Sequence, residues 1–293
     1  DLPSGRADDS ITEGCLVLEG GGWRGLYTLG VLDRLMIDNI NIRTTIGISA
    51  GALSGLGYTV GQIGWGARVD LNYRHDPRYC GVVAMLYEKG IMGYRYLFNR
   101  MVKDLPLDKK RLRETPRKLF VGVTNLETGG LEFFEKESGN ILLASAASAS
   151  VPYVTKPVII NGTPYLDGGC AEKIPYHLAK EMNEQKIIVV KTRERGYRRK
   201  KGNKTIPSLF YHKYPRFAEA ISQTNEKFNL MMDELEEDEK AGKVFVVAPT
   251  QKVEVSRFER DMEKLGELYW QGYRDVDELL PELKEYLGTA TES

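Results

Sequence analysis

The residues with the clearest chemical promise are Ser49, Asp167 and a run of glycines between positions 20 and 25. Ser49 is the centre of Gly47–Ile48–Ser49–Ala50–Gly51. A serine flanked in this way, between a strand and a helix, can occupy a sharp turn that exposes its hydroxyl at the strand's end. The helix that follows starts with N–H groups lacking intrahelical acceptors, and its dipole favours a developing oxyanion there. Asp167 opens Asp167–Gly168–Gly169, where two glycines let a carboxylate approach another loop closely. Taken alone, the same Asp–Gly–Gly reads more readily as a β-turn. The third feature is Gly20–Gly21–Gly22–Trp23–Arg24–Gly25, a loop with unshielded backbone donors beside the fixed charge of Arg24.

That loop suits either a phosphate or an acyl oxyanion. A dinucleotide site wants an acidic residue about twenty positions on, at the end of the second strand. Here the second predicted strand ends in Ser49 instead. A P-loop would close on Lys–Ser/Thr, and no such pair follows these glycines. The oxyanion reading is left in front.

The elements that must hold these residues alternate strand and helix, which predicts an α/β layered fold with a mainly parallel sheet. Residues 15–20 form a short apolar run stopped by glycines, and a helix begins near Trp23 or Arg24 with Leu26, Leu29, Leu32 and Leu35 at near-helical spacing. Residues 44–49 are a β-branched strand leading into a small-residue helix. Residues 118–126 and 130–137 read as a hairpin pair. Residues 140–150 read as an Ala/Ser-rich helix stopped by Pro152, and 157–169 as two short strands about Asn161–Gly162. Two more buried strands are expected at 186–192 and 243–250.

Between them, residues 194–240 combine a basic run with a helix ending in Asp233–Lys240. The plain reading is a solvated insertion, and a basic loop facing lipid headgroups is the alternative. Residues 82–101, rich in Met, Leu, Tyr and Phe, read as a core helix or as a mobile acyl-binding lid.

The bulk properties narrow the choice further. A chain of 293 residues can bury one large core, and 41 basic residues cancel 41 acidic ones, so no net field attracts nucleic acid. Cys15, Cys80 and Cys170 are an odd number without metal-ligand spacing, which favours a reducing compartment. The first ten residues are polar and show no signal-peptide pattern, and no run approaches the ~18 apolar residues of a membrane span. No HExxH, EF-hand or paired-acid cluster stands in the sequence, so neither metal nor cofactor is expected.

Together, the glycine loop ending in Arg24–Gly25, the elbow around Ser49 and Asp167–Gly168–Gly169 resemble the patatin-like phospholipase family. All three occur in the family's order, and residues 146–169 also look like the family's approach to its aspartate. The resemblance runs from about residue 15 to 188, within one expected domain over 1–293 whose part 194–293 is a polar insertion and C-terminal α/β extension.

The resemblance implies a three-layer α/β/α fold and lipid or other carboxylic esters as substrate, met at a membrane surface by a cytoplasmic enzyme. Ser49 and Asp167 would be its catalytic dyad. Gly20, Gly21, Gly22, Arg24 and Ala50 would form its oxyanion hole, and Gly25, Gly47, Gly51, Gly168 and Gly169 its motif glycines. Two other readings stay open. A Ser–Asp–His triad needs a late histidine, and only His75, His177 and His212 exist. A catalytically silent binding protein could also keep the fold.

Overall fold

The computed structural model describes residues 1–75 and 105–289. The lid or core helix expected at 82–101, and Cys80, lie outside the described residues. The chain opens with β1 (Gly5–Arg6) and β2 (Thr12–Leu18), then α1 (Gly25–Ile37), β3 (Ile42–Ile48) and α2 (Ala50–Thr59). Next come β4 (Gln62–Ile63), α3 (Trp65–Tyr73), α4 (Lys109–Glu114), β5 (Lys118–Asn125) and β6 (Leu131–Glu135). They are followed by α5 (Ile141–Ser148), β7 (Val158–Ile160), β8 (Thr163–Asp167), α6 (Tyr176–Glu181) and β9 (Ile187–Val190). The last described elements are α7 (Thr205–Phe210), α8 (Pro215–Lys240), β10 (Val244–Val247) and α9 (Met262–Leu287).

The central sheet runs β10–β9–β2–β3–β5–β8–β7, with β6 also paired to β5. From β10 to β5 every pairing is parallel, whereas β6 and β8 lie antiparallel to β5, and β7 antiparallel to β8. The expected α/β class with a mainly parallel sheet is therefore what the chain adopts. The β7–β8 hairpin turns at Asn161 and Gly162, both with positive φ (51° and 86°), as a two-residue turn of the I′ kind requires.

Side chains on the parallel strands alternate between two buried faces. Leu16 and Leu18 of β2 point into a core shared with α1, α2 and α9, and Cys15 and Val17 into one shared with α6 and α8. Both faces are covered, which is why these strands are continuous apolar runs. The second face corrects one expectation. The stretch read as a solvated insertion supplies α8, whose Phe228, Met231, Met232 and Leu235 are buried against the sheet. Its acidic end only looks like a solvated run, because every third or fourth residue turns inward.

On the other face α9 is pressed directly onto α1. Asp261 caps its start by accepting from the Glu263 and Lys264 N–H groups, and Gly288 closes it with φ 71°. A Cβ on Gly30 would lie 2.0 Å from the Tyr269 carbonyl oxygen, and one on Gly272 would lie 2.1 Å from that of Tyr27. The two helix backbones thus meet at glycines on both sides. Tyr27 and Tyr269 tie the seam further by donating to Asp275 (3.1 Å) and Asp33 (2.7 Å).

Gly30→Ala and Gly272→Ala should each destabilise the fold by about 1–3 kcal/mol through overpacking. Gly266, also in α9, has no neighbour within 4 Å of such a Cβ. Gly266→Ala should instead stabilise by roughly 0.5–1 kcal/mol, since only helix propensity changes. Urea unfolding of the three variants checks both signs, and a stabilised Gly30→Ala protein would contradict the close seam.

Candidate active site

β2 and β3 are neighbouring parallel strands in register at Leu18 and Gly47, so the loops that leave them emerge side by side. One carries the glycines from Gly20 to Gly25 and the other carries Ser49. β5 then brings in the third component. β3 pairs with β5 up to Gly122, β6 occupies the opposite edge of β5 as far as Thr124, and β8 pairs with β5 from Val123 onward. A strand has two edges, so β8 must continue the edge that β3 has just left. Val123 is paired with Asp167, one residue beyond the Ile48–Gly122 pair. Asp167 is thereby delivered to the end of β3, where Ser49 turns away.

Ser49 has φ 56°, a left-handed backbone unusual for a residue with a Cβ, and α2 starts at the next residue. The flanking glycines have packing reasons. A Cβ on Gly47 would lie 2.5 Å from the Gly51 carbonyl oxygen, and one on Gly51 would lie 2.5 Å from that of Leu18. The elbow is held by Ser148, a residue that sequence reasoning passed over. Its hydroxyl accepts the Ser49 N–H at 2.7 Å and donates to the Gly122 carbonyl at 2.6 Å. In the sequence it is one serine in an Ala/Ser-rich helix, with nothing to distinguish it from Ser145 or Ser150.

The Ser49 hydroxyl donates to Asp167 Oδ2 at 3.0 Å, and the Gly169 N–H donates to Asp167 Oδ1 at 2.7 Å. Both side chains are buried, Asp167 being 2% exposed. Gly168 lets β8 cross Gly122, since a Cβ there would lie 2.4 Å from the Gly122 carbonyl oxygen. Burial raises the Asp167 carboxyl above its ordinary value, while the Arg257 charge, the Gly169 N–H, Lys173 and the Ser49 hydroxyl oppose that rise. A raised value makes this carboxylate a better proton acceptor than a solvated aspartate.

The glycine loop divides into separate tasks. Gly22, with φ 59°, lines the same cleft as Ser49 and Ala50, and its N–H has no acceptor among the described residues. Ala50, as the first residue of α2, likewise has no intrahelical acceptor. The Gly21 N–H also has no acceptor among the described residues, but Gly21 is pressed on Thr192. Gly20 corrects the expected donor set, because its N–H is used by the Lys173 carbonyl at 3.2 Å. It serves instead to bring the loop against Ser49, where a Cβ would stand 3.1 Å from that of the serine. Gly25 does the same for Ala50, at 2.8 Å. Arg24 lines a neighbouring cavity with Asp167 rather than the cleft with Ser49.

The cleft itself is apolar, walled by Trp23, Leu29, Leu53, Trp65 and Val69. All three histidines lie elsewhere. His177 is hydrogen-bonded to Glu234 at 3.0 Å, His212 approaches the Leu209 carbonyl at 3.3 Å, and His75 is exposed. Such a site can deprotonate a serine hydroxyl with a carboxylate and offer backbone donors to an oxyanion.

The electrostatics can be tested without any substrate. In NMR titration of protein with labelled aspartate carboxyls, Asp167 should titrate above the usual carboxylate value of about 4. Arg257→Gln should raise it further, because it removes a charge that favours the ionised form. Titration of Asp167 at or below the ordinary value would contradict its burial.

The family model described as patatin-like phospholipase matches residues 16–180, and a second, described as a domain of unknown function (DUF6363), matches residues 214–288. The chain is 26% identical over 182 residues to the uncharacterized protein YjjU of Escherichia coli (strain K12), covering 60% of this chain and 51% of that protein. It is 28% identical over 191 residues to the probable lipid hydrolase 463L of Invertebrate iridescent virus 6, covering 58% and 64% respectively. It thus spans less than two thirds of either relative. Among solved structures, VipD from Legionella pneumophila aligns with a TM-score of 0.41 at 15% identity, over 96% of this chain and 70% of that one, a likeness too distant to argue from. More than half of the sequence is matched by the first model, and the chain belongs to the patatin-like phospholipase family.

Proposed function

We propose that the chain hydrolyses ester bonds of lipids through Ser49 and Asp167, without a histidine. The observation that carries this reading is the 3.0 Å hydrogen bond from the Ser49 hydroxyl to a buried carboxylate, made at a backbone elbow. Asp167 takes the Ser49 proton as the serine oxygen attacks the ester carbonyl. The free N–H groups of Gly22 and Ala50, with Gly21 beside them, stabilise the tetrahedral oxyanion. Collapse expels the alcohol, which takes the proton from Asp167. A water activated by the same carboxylate then releases the fatty acid. The apolar walls of the cleft suit an acyl chain.

Access from a lipid surface is supported by one face of the molecule. Leu209 is 73% exposed, Phe210 59% and Ile206 50%, and Tyr153 lies edge-on to Phe210 at 5.3 Å. Exposed Lys200, Lys201 and Lys204 stand in the adjoining segment. Exposed apolar side chains with lysines in the neighbouring segment match an interface of acyl chains and anionic headgroups. Among the described residues no helix is long and apolar enough to cross a membrane, so contact through this face would be peripheral.

Two sets of variants test these points. Ser49→Ala and Asp167→Asn should each lower hydrolysis of a p-nitrophenyl ester by about 10⁴-fold or more. The triple change His75→Gln, His177→Gln, His212→Gln should stay within roughly tenfold of wild type. Loss of activity in a folded histidine variant would instead support a triad. Separately, Leu209→Glu with Phe210→Glu should weaken hydrolysis of anionic vesicles while sparing the soluble ester. Equal effects on both substrates would remove the docking role of that face.

A further inference from the structure

The cleft containing Ser49 has a cavity of about 440 Å³ beside it, and Arg257 lines both. The walls of this cavity carry four cations, Arg24, Lys173, Arg199 and Arg257, against one carboxylate, Asp167. Net charge over the whole sequence is zero, so this concentration is local.

Its members are poorly satisfied by the protein itself. Arg24 is only 6% exposed, yet its guanidinium makes no hydrogen bond or ion pair with a described residue. The Arg257 side chain likewise donates no hydrogen bond to a described residue. Arg199 lies over the Phe228 ring at 4.7 Å, and its Nε is buried without an acceptor. Lys173 donates to the Gly169 carbonyl at 2.9 Å. Burial, then Arg199 and Arg257, pull its pKa down to about 8. The fully buried Glu19 attracts Arg24 and Arg199 but does not line the cavity, and one of its oxygens accepts the Thr192 N–H at 2.6 Å.

Like charges brought together out of water are costly unless an anion joins them. Guanidinium donors meet a phosphoryl group with matching planar geometry, and a phosphomonoester brings close to two negative charges. We infer that this cavity is an anion subsite for the phosphoryl group of the leaving alcohol. The acyl chain then follows the apolar cleft while a phosphate-bearing glycerol lies beside Asp167. The preferred substrate class is an anionic lysophospholipid with a phosphomonoester headgroup. The orientation rests on ester cleavage by Ser49 and Asp167, whereas the affinity for phosphate does not.

The test has two arms. In the first, three esters of one acyl chain are compared: 1-acylglycerol 3-phosphate, 1-acylglycerophosphocholine and 1-monoacylglycerol. Wild-type kcat/KM should be highest for the first, at least about tenfold above the last. Arg199→Gln and Lys173→Gln should each erase most of that advantage through KM, and Arg199→Lys should retain part of it. Equal kcat/KM for all three esters, or an equal loss on all three in the variants, would overturn the inference.

In the second arm, Ser49→Ala protein is titrated calorimetrically with glycerol 3-phosphate, inorganic phosphate and glycerol. Binding of glycerol 3-phosphate, weakened by Arg199→Gln and absent for glycerol, is expected. This arm reads even if wild type hydrolyses none of the esters, an outcome that would defeat the ester-cleavage reading alone. No binding of either anion would overturn the subsite. Inorganic phosphate binding as tightly as glycerol 3-phosphate, with no preference among the esters, would assign the cavity to the free ion and overturn its headgroup role.

Discussion

The shared edge of β5 is the constraint on which the site depends. β3 occupies that edge up to Gly122, and β8, running the other way, occupies it from Val123. Two strands far apart in sequence therefore end against each other, and what stands at their ends must be compatible at close range. Ser49 and Asp167 stand there, 3.0 Å apart. Gly168 leaves the room for this crossing, and Ser148 fastens the turn after β3 to the same stretch of β5. The positive φ of Ser49 is tolerated because neighbours on every side fix it.

A second consequence is an asymmetry of charge around the pair. The serine side opens to an apolar cleft, and the aspartate side opens to a cavity lined by cations. Burial favours the neutral carboxyl, while Arg257, Lys173 and the Gly169 N–H favour the ionised form. The balance leaves Asp167 more basic than a solvated aspartate. The two helical layers support this from outside. α9, seated on α1 at Gly30 and Gly272, also contacts the Gly22–Arg24 turn of the glycine loop, and α8 approaches Asp167 through Thr224, which donates to the Gly169 carbonyl at 3.2 Å.

Much of this was legible in the residues. Short apolar or β-branched runs marked the parallel strands, the first of them stopped by glycines, and Asn161–Gly162 marked a hairpin, because these patterns have few backbone solutions. The serine stood out between two glycines, and the aspartate stood out because two glycines follow it. Three things were not legible. Whether a backbone N–H is free depends on a partner far away in sequence, so Gly20 looked identical to Gly22 until Lys173 was placed. The acidic run of α8 hid a buried face whose spacing competes with its charge. The cavity beside Asp167 gathers Arg24, Lys173, Arg199 and Arg257 from four separate segments, and no local pattern announces such a convergence.

The central claim is that Ser49 is activated directly by Asp167, and covalent trapping tests it most directly. The protein is treated with a fluorophosphonate, and the adduct is located by peptide mass spectrometry. The account predicts a single adduct on Ser49, formed far more slowly in Asp167→Asn protein of unchanged stability. An adduct on another residue, or labelling of Asp167→Asn at the wild-type rate, would contradict it.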